Sequence, residues 1–549
     1  MFRILSICSL RLGTSSLSKQ ASSRIYQDLW ASRIHSLVQL ASDHSPKKAV
    51  AMESFKQRRK GVPGSKPHVG IIGAGLAGLR CADILLQNGF QVTIIEGRHR
   101  IGGRLYQERL GNGRLVDMGP NWIHGTDDNP MLDLAKQTGT AVGTWDLTSY
   151  VFNEEGSLLP VQEGEAYATL VWDIIQDAFI HSNKSSADID DSTSLLDFFK
   201  EKVVEKIPES EDNFQKKRET VLQMSEMWGT FVGSAVGRQS LKFFWLEECI
   251  EGENLFCAGT YEKILQEVAR PALSHATIQF GSVADKISYR TEQDDQVRVQ
   301  LKGGQTLAFD EVVVTCPLGW LKRNLTAFDP PLPSMLTKAI GSIGYGSLEK
   351  VYISFPKAFW LPAEGDGRRV QGFAQWIAPS YHAENPRGWN QEVVELASIA
   401  PEAAHPTLLF YIYGEQSDYL TAKVAELDGT DKKDAFLLDF FKPYYSRLPQ
   451  YSEESPDCQP VCCLSTNWVR DELAGHGSYC NFQVGLANGD EDIKTMRQGL
   501  PEQGLWLAGE HTAPFVALGT ATGAYWSGES VGKRIAEAYK YEHSVEVAP

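Results

Sequence analysis

Long apolar runs, paired cysteines and an excess of positive charge are all missing from this 549-residue chain. No stretch approaches the roughly 18 consecutive apolar residues of a transmembrane helix, so we expect no membrane anchor. The C-terminal segment KYEHSVEVAP carries neither a prenylation box nor the SKL peroxisomal signal. The nine cysteines form no CxxC pair and no disulfide framework, which predicts no metal site and fits a reducing compartment.

Acidic residues outnumber basic ones, and the imbalance is uneven along the chain. The net charge is −16, yet residues 1–60 carry 11 Lys and Arg against 3 acids, so the remainder is more acidic still. An acidic body repels nucleic acid and attracts cations, so we expect no nucleic-acid partner. Solubility alone is the simpler explanation of the same charge.

The first 51 residues are rich in Ser and Arg and contain only two acids, Asp28 and Asp43. This composition is typical of a mitochondrial presequence. Two other interpretations stay open, namely translation from Met52 and an N-terminal tail without a targeting function. We assign residues 1–66 to an N-terminal extension and expect a cytoplasmic or mitochondrial protein.

The stretch HVGIIGAGLAGLRCADILLQNGFQVTIIE predicts a dinucleotide site. A buried strand leads into Gly73, Ala74, Gly75 and Gly78, a helix follows, and a second strand ends at Glu96. The first glycine makes the turn, the second admits a pyrophosphate, and the third lets the helix pack closely. An acid at the end of the second strand accepts hydrogen bonds from the ribose of an adenosine.

Two further segments indicate which dinucleotide binds. A second glycine pair, with Arg104, follows directly and supplies a cation for the pyrophosphate. Near the C-terminus, GLWLAGEHT predicts a strand ending at Glu510, and a Gly- and Thr-rich turn then opens a helix. The N-terminal amides of that helix can receive a phosphate or a flavin carbonyl. A nicotinamide domain closes within one contiguous segment, whereas here about 400 residues separate the two halves. This layout favours FAD.

Five segments together resemble the flavin-containing amine oxidases, in particular the polyamine and spermine oxidases: GIIGAGLAGLRCA, EGRHRIGGR, VDMGPNWIHG, VVVTCPLGWLK and LWLAGEHT. The resemblance implies an α/β protein in which a Rossmann-like FAD-binding domain is interleaved with an α+β substrate domain of mixed sheet and helices. We assign residues 67–150, 251–330 and 465–540 to the FAD-binding domain, and residues 151–250 and 331–464 to the substrate domain.

The resemblance also implies site residues. It places Lys350 where the family has a lysine that holds a water against flavin N5, and Tyr479 where the family has an aromatic ring before the flavin. His124, in NWIHG, is expected to hydrogen-bond a substrate amine. From the sequence alone, an exposed strand lysine, an ordinary strand tyrosine and a core histidine are the alternatives. We predict catalytic or substrate-contacting roles for Lys350, His124, Tyr479 and Thr520, and FAD contacts from Asn121, Trp122, the backbone of Val283, Glu510 and Thr520.

Two departures from the family bear on the cofactor and the substrate. Monoamine oxidases attach FAD through a cysteine, but here Gly477 aligns with that position and Cys480 is displaced by three residues, so we predict non-covalent FAD. Where monoamine oxidases complete an aromatic pair, this chain has Thr520. Tyr413 and Trp122 are the candidate substitutes for the missing ring.

The leading hypothesis is an FAD-dependent polyamine oxidase that oxidises a C–N bond of spermine, spermidine or an acetylated polyamine. Hydride passes to flavin N5, O2 is the acceptor, and H2O2 is the product. The alternatives are a monoamine-oxidase-like enzyme, an L-amino-acid oxidase and an FAD-binding scaffold without turnover. A histone demethylase is disfavoured because neither a long helical-hairpin insertion nor an extra chromatin-binding domain fits in this length. The acidic cluster WLEECIEGEN would suit a cationic amine substrate, although a solvated helix face is the simpler interpretation. We expect a monomer or a weak dimer.

Overall fold

A computed structural model describes residues 66–145, 148–361 and 369–543. The predicted targeting segment lies outside these ranges. Within them, no helix is both long and apolar enough to cross a membrane, and no cluster of three or more His, Cys, Asp and Glu side chains is placed to bind a metal ion.

The described residues form a mixed α and β structure. Its α-helices are α1 (Leu76–Gln87), α2 (Pro130–Thr138), α3 (Val161–Ser185), α4 (Leu195–Lys206), α5 (Phe214–Ser225), α6 (Gly229–Val232), α7 (Glu262–His275), α8 (Leu318–Arg323), α9 (Ser334–Ser342), α10 (Gly414–Glu426), α11 (Thr430–Tyr445), α12 (Gly489–Gln498) and α13 (Ala521–His543). Its strands are β1 (His68–Ile72), β2 (Gln91–Ile95), β3 (Gln107–Arg109), β4 (Leu115–Asp117), β5 (Trp122–Ile123), β6 (Ser149–Phe152), β7 (Leu255–Phe256), β8 (Thr277–Gln279), β9 (Ala284–Ser288), β10 (Val297–Leu301), β11 (Thr306–Phe309), β12 (Glu311–Val314), β13 (Phe328–Asp329), β14 (Gly344–Tyr345), β15 (Leu348–Ser354), β16 (Phe373–Trp376), β17 (Gln391–Glu395), β18 (Thr407–Tyr413), β19 (Cys462–Ser465), β20 (Cys480–Asn481) and β21 (Leu505–Leu507).

Five parallel strands form the first sheet, in the order β21-β12-β1-β2-β8. β1, β2, β12 and β21 are mostly apolar and buried, as strands covered on both faces require. Helices α1, α7 and α13 share a hydrophobic core with this sheet. α13 approaches α1 so closely that a Cβ on Gly528 would lie 2.0 Å from the carbonyl oxygen of Ala77. The sheet is therefore assembled from segments at both ends and in the middle of the chain.

Six strands form the second sheet, in the order β19-β15-β18-β17-β16-β6. Residues directly opposite each other on paired strands share a face of the sheet. Lys350 lies opposite Tyr411, Tyr411 opposite Glu392, and Glu392 opposite Gln375. These four side chains form one row across a single face, which we call the cross-strand row. The opposite face packs on α10 and α11, and α3, α4 and α5 form a separate helical layer.

The predicted division into domains stays a prediction. The first predicted boundary between the FAD-binding and substrate domains, at residue 150, falls inside β6, and β6 pairs with β16 at the edge of the six-stranded sheet.

Candidate active site

A cavity of about 520 Å³ joins the two sheets. Its wall includes residues that follow β1, β2, β12 and β21, so one end lies at the carboxyl ends of the parallel strands. Ligands of parallel α/β sheets bind at this edge. The other end is the face of the six-stranded sheet that carries the cross-strand row. All of the predicted site residues line this cavity except Ala74 and Gly78.

The glycine-rich turn after β1 leaves room for a ligand at one position. Gly73 has a φ of +111°, a conformation that favours glycine. A Cβ on Gly78 would lie 2.1 Å from the carbonyl oxygen of Gly73, so Gly78 serves the packing of α1. A Cβ on Gly75 would meet no protein atom closer than 4.0 Å beyond its own chain neighbours. The space beside Gly75 belongs to the cavity, at the N-terminus of α1, where a pyrophosphate would be stabilised.

A buried carboxylate lies at the end of β2. Glu96 is 6% exposed, and its two oxygens accept hydrogen bonds from the backbone N–H groups of Ala74 and Arg98, each at 2.7 Å. Each oxygen keeps a second lone pair, with which a ribose hydroxyl can hydrogen-bond. Ala74 therefore contributes through its backbone. Val283 lines the same end of the cavity, beside Gly97.

Arg104 and Glu510 join the two ends of the chain at the cavity wall. Nη1 of Arg104 donates to Oε1 of Glu510 at 3.1 Å and to the carbonyl oxygen of Ser478 at 2.5 Å. Burial alone would raise the pKa of Glu510, but the charge of Arg104 opposes burial and the net effect lowers it below its ordinary value. The ion pair is therefore maintained, and a guanidinium in the wall suits a diphosphate.

The N-terminus of α13 forms another part of the wall. Thr520 caps this helix, because its Oγ1 accepts from the N–H of Gly523 at 3.0 Å and donates to the carbonyl of Ala517 at 2.7 Å. Ala521 and Ala524 of the first turn line the cavity, and this turn contains no acid. The positive end of the helix dipole is therefore available to a polarised flavin carbonyl.

These features fit FAD. Gly75 and Arg104 would hold the pyrophosphate, Glu96 the ribose, and the start of α13 the flavin ring. When bound, FAD supplies an acceptor for a hydride. The cross-strand row would then lie on the substrate side.

Asn121 and Trp122 hold one member of the cross-strand row. Oδ1 of Asn121 accepts from the hydroxyl of Tyr411 at 3.1 Å, and Nε1 of Trp122 donates to the same hydroxyl at 3.2 Å. The Trp122 ring also stacks on Phe373, with 5.9 Å between ring centroids. The wall is consequently a fixed aromatic surface.

Lys350 is buried in the row, with an exposure of only 5%. Its Nζ donates to the backbone carbonyls of Asp117 and Gly119. Burial lowers the pKa of Lys350 well below the ordinary lysine value, and burial likewise raises the pKa of Asp117. The attraction between the two charges opposes both shifts. Lys350 is therefore not the exposed strand lysine that the sequence alone suggests.

Of the two candidates for the second aromatic ring, only Trp122 lines the cavity. The hydroxyl of Tyr413 donates to the carbonyl of Glu226, and its ring packs against Gly229. Tyr413 is therefore excluded as that ring. Tyr479 does line the cavity, and its hydroxyl donates to the carbonyl of Phe231 at 2.7 Å.

The acidic cluster is not a solvated helix face, so the simpler interpretation of it is wrong. One 3-10 turn, Phe244–Glu247, is followed by a loop, and both Glu247 and Glu253 line the cavity. His124 lines the same region, with its Nδ1 3.4 Å from Oδ1 of Asn254. A histidine and two carboxylates thus line the same cavity.

Sequence reasoning missed several polar residues of the wall, among them Glu392, Gln375 and Thr230. The signal that could have found Glu392 is the strand QEVVE, in which an acid interrupts an apolar run. A carboxylate in a buried strand needs a partner, so such a residue is a candidate for function.

Comparison with known proteins agrees with this geometry. The family model described as Flavin containing amine oxidoreductase matches residues 76–536. The chain belongs to this family. The predicted α/β fold class, the flavin cofactor FAD and the assignment as a flavin-dependent amine oxidase are thereby confirmed.

The similar proteins include polyamine oxidases and histone demethylases. The chain is 27% identical to probable polyamine oxidase 4 of Arabidopsis thaliana, over 85% of this chain and 86% of that one. It is 28% identical to lysine-specific histone demethylase 2 of Homo sapiens, over 85% of this chain but only 53% of that one, so it spans about half of the demethylase's length. A solved structure of a redesigned putrescine oxidase covers 86% of this chain and 99% of its own, with a TM-score of 0.62 at 16% identity, which shows a shared fold.

Gly477, where monoamine oxidases carry the flavin-linked cysteine, has no room for a side chain. A Cβ there would lie 2.6 Å from both the carbonyl oxygen of Gly346 and the ring of Tyr345. Burial raises the pKa of the Cys480 thiol well above its ordinary value, so no thiolate forms there. Neither position can therefore supply a covalent link to FAD, as the prediction of non-covalent FAD requires.

Replacing Gly477 with Cys should not create a flavin linkage. We expect the clash to lower the free energy of unfolding by about 1–3 kcal/mol, and acid precipitation of the variant to release all flavin into the supernatant. Gly303→Cys, at a position with no neighbouring atom within 4 Å, is the matched control and should unfold as the parent does. Flavin retained in the Gly477→Cys pellet would contradict this account.

Proposed function

We propose that the chain is a polyamine oxidase that oxidises a C–N bond of spermine, spermidine or an acetylated polyamine, with O2 as acceptor and H2O2 as product. The observation that carries the proposal is the wall of the cavity beyond the flavin-binding region. It combines fixed aromatic rings with carboxylates, and it matches an apolar chain that bears ammonium groups.

The proposal assigns a role to the aromatic rings, the histidine, the lysine and the carboxylates of the wall. The aromatic wall excludes water from the carbon that is oxidised, and His124 hydrogen-bonds the amine, which must be uncharged when the carbon loses hydride. Lys350 holds a water near the flavin and stabilises negative charge in the oxygen step. Glu247 and Glu253 attract the cationic substrate into the cavity.

Other amine substrates fit the wall less well. An L-amino-acid oxidase needs an arginine for the substrate carboxylate, but the arginines of the described wall, Arg98 and Arg104, pair with Asp471 and Glu510 at the dinucleotide end. A monoamine has no second ammonium with which the carboxylates of the wall could interact. A methylated lysine of a histone tail is cationic as well, and the demethylase relatives make it the second candidate.

The experiment is turnover by the purified holoenzyme, read as H2O2 release and as product masses. The panel contains spermine, spermidine, N-acetylated polyamines, benzylamine, L-amino acids and a peptide with dimethylated lysine. The proposal predicts oxidation of the polyamines alone, and the product masses identify the cleaved bond. Turnover of the peptide or of benzylamine, with none of the polyamines, would refute it.

We further propose that the protein acts as a monomer or weak dimer in the cytoplasm or the mitochondrion. The Ser- and Arg-rich composition of residues 1–51 supports the mitochondrial alternative. Imaging of the full-length chain against a chain starting at Met52 tests it, because only the longer chain should enter mitochondria.

A further inference from the structure

A buried carboxylate lies in the cavity wall, held only by neutral donors. Glu392 is 7% exposed and lines the cavity from β17. Its Oε1 accepts a hydrogen bond from Oγ1 of Thr230 at 3.0 Å, and its Oε2 accepts one from Nε2 of Gln375 at 3.1 Å. One donor therefore orients each oxygen.

Glu392 lacks a counter-charge among the described residues, since no lysine or arginine there forms a salt bridge with it. An unpaired buried carboxylate is costly, and burial raises the pKa of Glu392 to about 7 despite its two hydrogen bonds. Burial also raises the pKa values of Tyr411 and Tyr413 nearby, so both phenols stay neutral. A cation that reaches Glu392 through the cavity would complete the pair.

The separation of Glu392 from Lys350 sets the spacing required between the two amine groups of a substrate. Glu392 and Lys350 belong to the cross-strand row and are separated by one strand, on which Tyr411 lies between them. Neighbouring strands are about 4.8 Å apart, so the two Cα atoms are separated by roughly 10 Å. A ligand that reacts near Lys350 can place a charge beside Glu392 only if it carries a second ammonium several bonds from the first.

We propose that Glu392, oriented by Thr230 and Gln375, binds the second ammonium of the substrate and selects diamines and polyamines over monoamines. The selection rests on the proposed function, because it requires an amine that is oxidised near Lys350. The ring of Tyr411 lines the cavity between the two points, where the connecting methylene groups would cover it.

The test compares Glu392→Gln with the parent holoenzyme. KM and kcat are measured for spermine and spermidine, and the affinities of hexanediamine and hexylamine are measured from the shift in the thermal unfolding midpoint. We expect Glu392→Gln to raise KM for both polyamines about 10- to 100-fold with kcat changed far less. The substitution should weaken the binding of hexanediamine by a similar factor and leave the affinity for hexylamine unchanged. Glu402→Gln, at an exposed residue outside the cavity wall, is the matched control and should behave as the parent.

Equal effects of Glu392→Gln on the diamine and the monoamine, or no effect on either, would overturn the inference. If Glu392→Gln does not fold, Thr230→Val replaces it, and this variant should lose part of the preference for diamines over monoamines.

Failure of this inference can be distinguished from failure of the proposed function. Failure of the proposed function appears as no polyamine turnover by the parent, whereas failure of this inference appears as polyamine turnover that does not depend on Glu392.

Discussion

Lys350→Met should slow reoxidation of the reduced enzyme by O2 about 100-fold or more, while anaerobic reduction by a polyamine stays within a few-fold of the parent. Electron transfer to O2 develops negative charge, and a buried cation stabilises that charge strongly. Among the lysine and arginine residues of the described wall, only Lys350 lies on the six-stranded sheet. Rapid mixing of reduced enzyme with oxygenated buffer measures the effect.

The same reasoning predicts a pH dependence. Burial lowers the pKa of Lys350, so its ammonium is lost as pH rises at values well below the ordinary 10.5. The rate at which O2 reoxidises the reduced parent enzyme should therefore fall with rising pH. The rate for Lys350→Met should not show this decrease. Lys357→Met, an exposed lysine beyond the end of the same strand, is the control. If Lys350→Met instead slowed reduction of the enzyme by the amine and left reoxidation by O2 normal, Lys350 would act in amine oxidation, which would contradict this prediction.

Arg104→Met should abolish stable FAD binding and destabilise the fold. The change leaves Glu510 buried without its cation, which costs about 3–5 kcal/mol for a fully buried pair. Because the Arg104 side chain keeps 23% of its surface exposed, we expect the lower end, about 3 kcal/mol. The measurements are the flavin-to-protein ratio after purification and chemical unfolding. Arg109→Met, an exposed arginine on β3, should keep its full flavin content.

The acid stability of the fold should change with Arg104. The pKa of Glu510 is lowered in the fold, so its contribution is fully present above its ordinary value of 4.5 and is lost as pH falls through the lower folded value. Removing Arg104 raises the folded pKa, and acid unfolding should begin at a higher pH. An acid midpoint identical to that of the parent would contradict the role of the pair.

The nucleotide half of the site could be predicted because its signals are local. Gly73, Gly75, Gly78 and Glu96 lie within one strand, turn, helix and strand, and each role follows from its place in that unit. The position of Glu510 at the end of a distant strand followed the same rule. The resemblance to a family then supplied Lys350, whose burial its sequence neighbours do not indicate.

The substrate half depends on strand pairing that periodicity does not reveal. Glu392 and Lys350 share a face only because β17 and β15 both pair with β18 in one register, and a shift of one residue would separate them. The inward direction of Glu247 and Glu253 depends on an irregular turn and loop. The charge pattern there favours a solvated helix face, whereas the chain forms a 3-10 turn followed by a loop.

The most direct test of the account is anaerobic mixing of the oxidised holoenzyme with single amines while the absorbance of the oxidised flavin is followed. The account predicts rapid, saturable bleaching by spermine, spermidine or their acetylated forms, and none by benzylamine or L-amino acids. A flavin that stays oxidised with every polyamine, or that is bleached only by other amines, would contradict it.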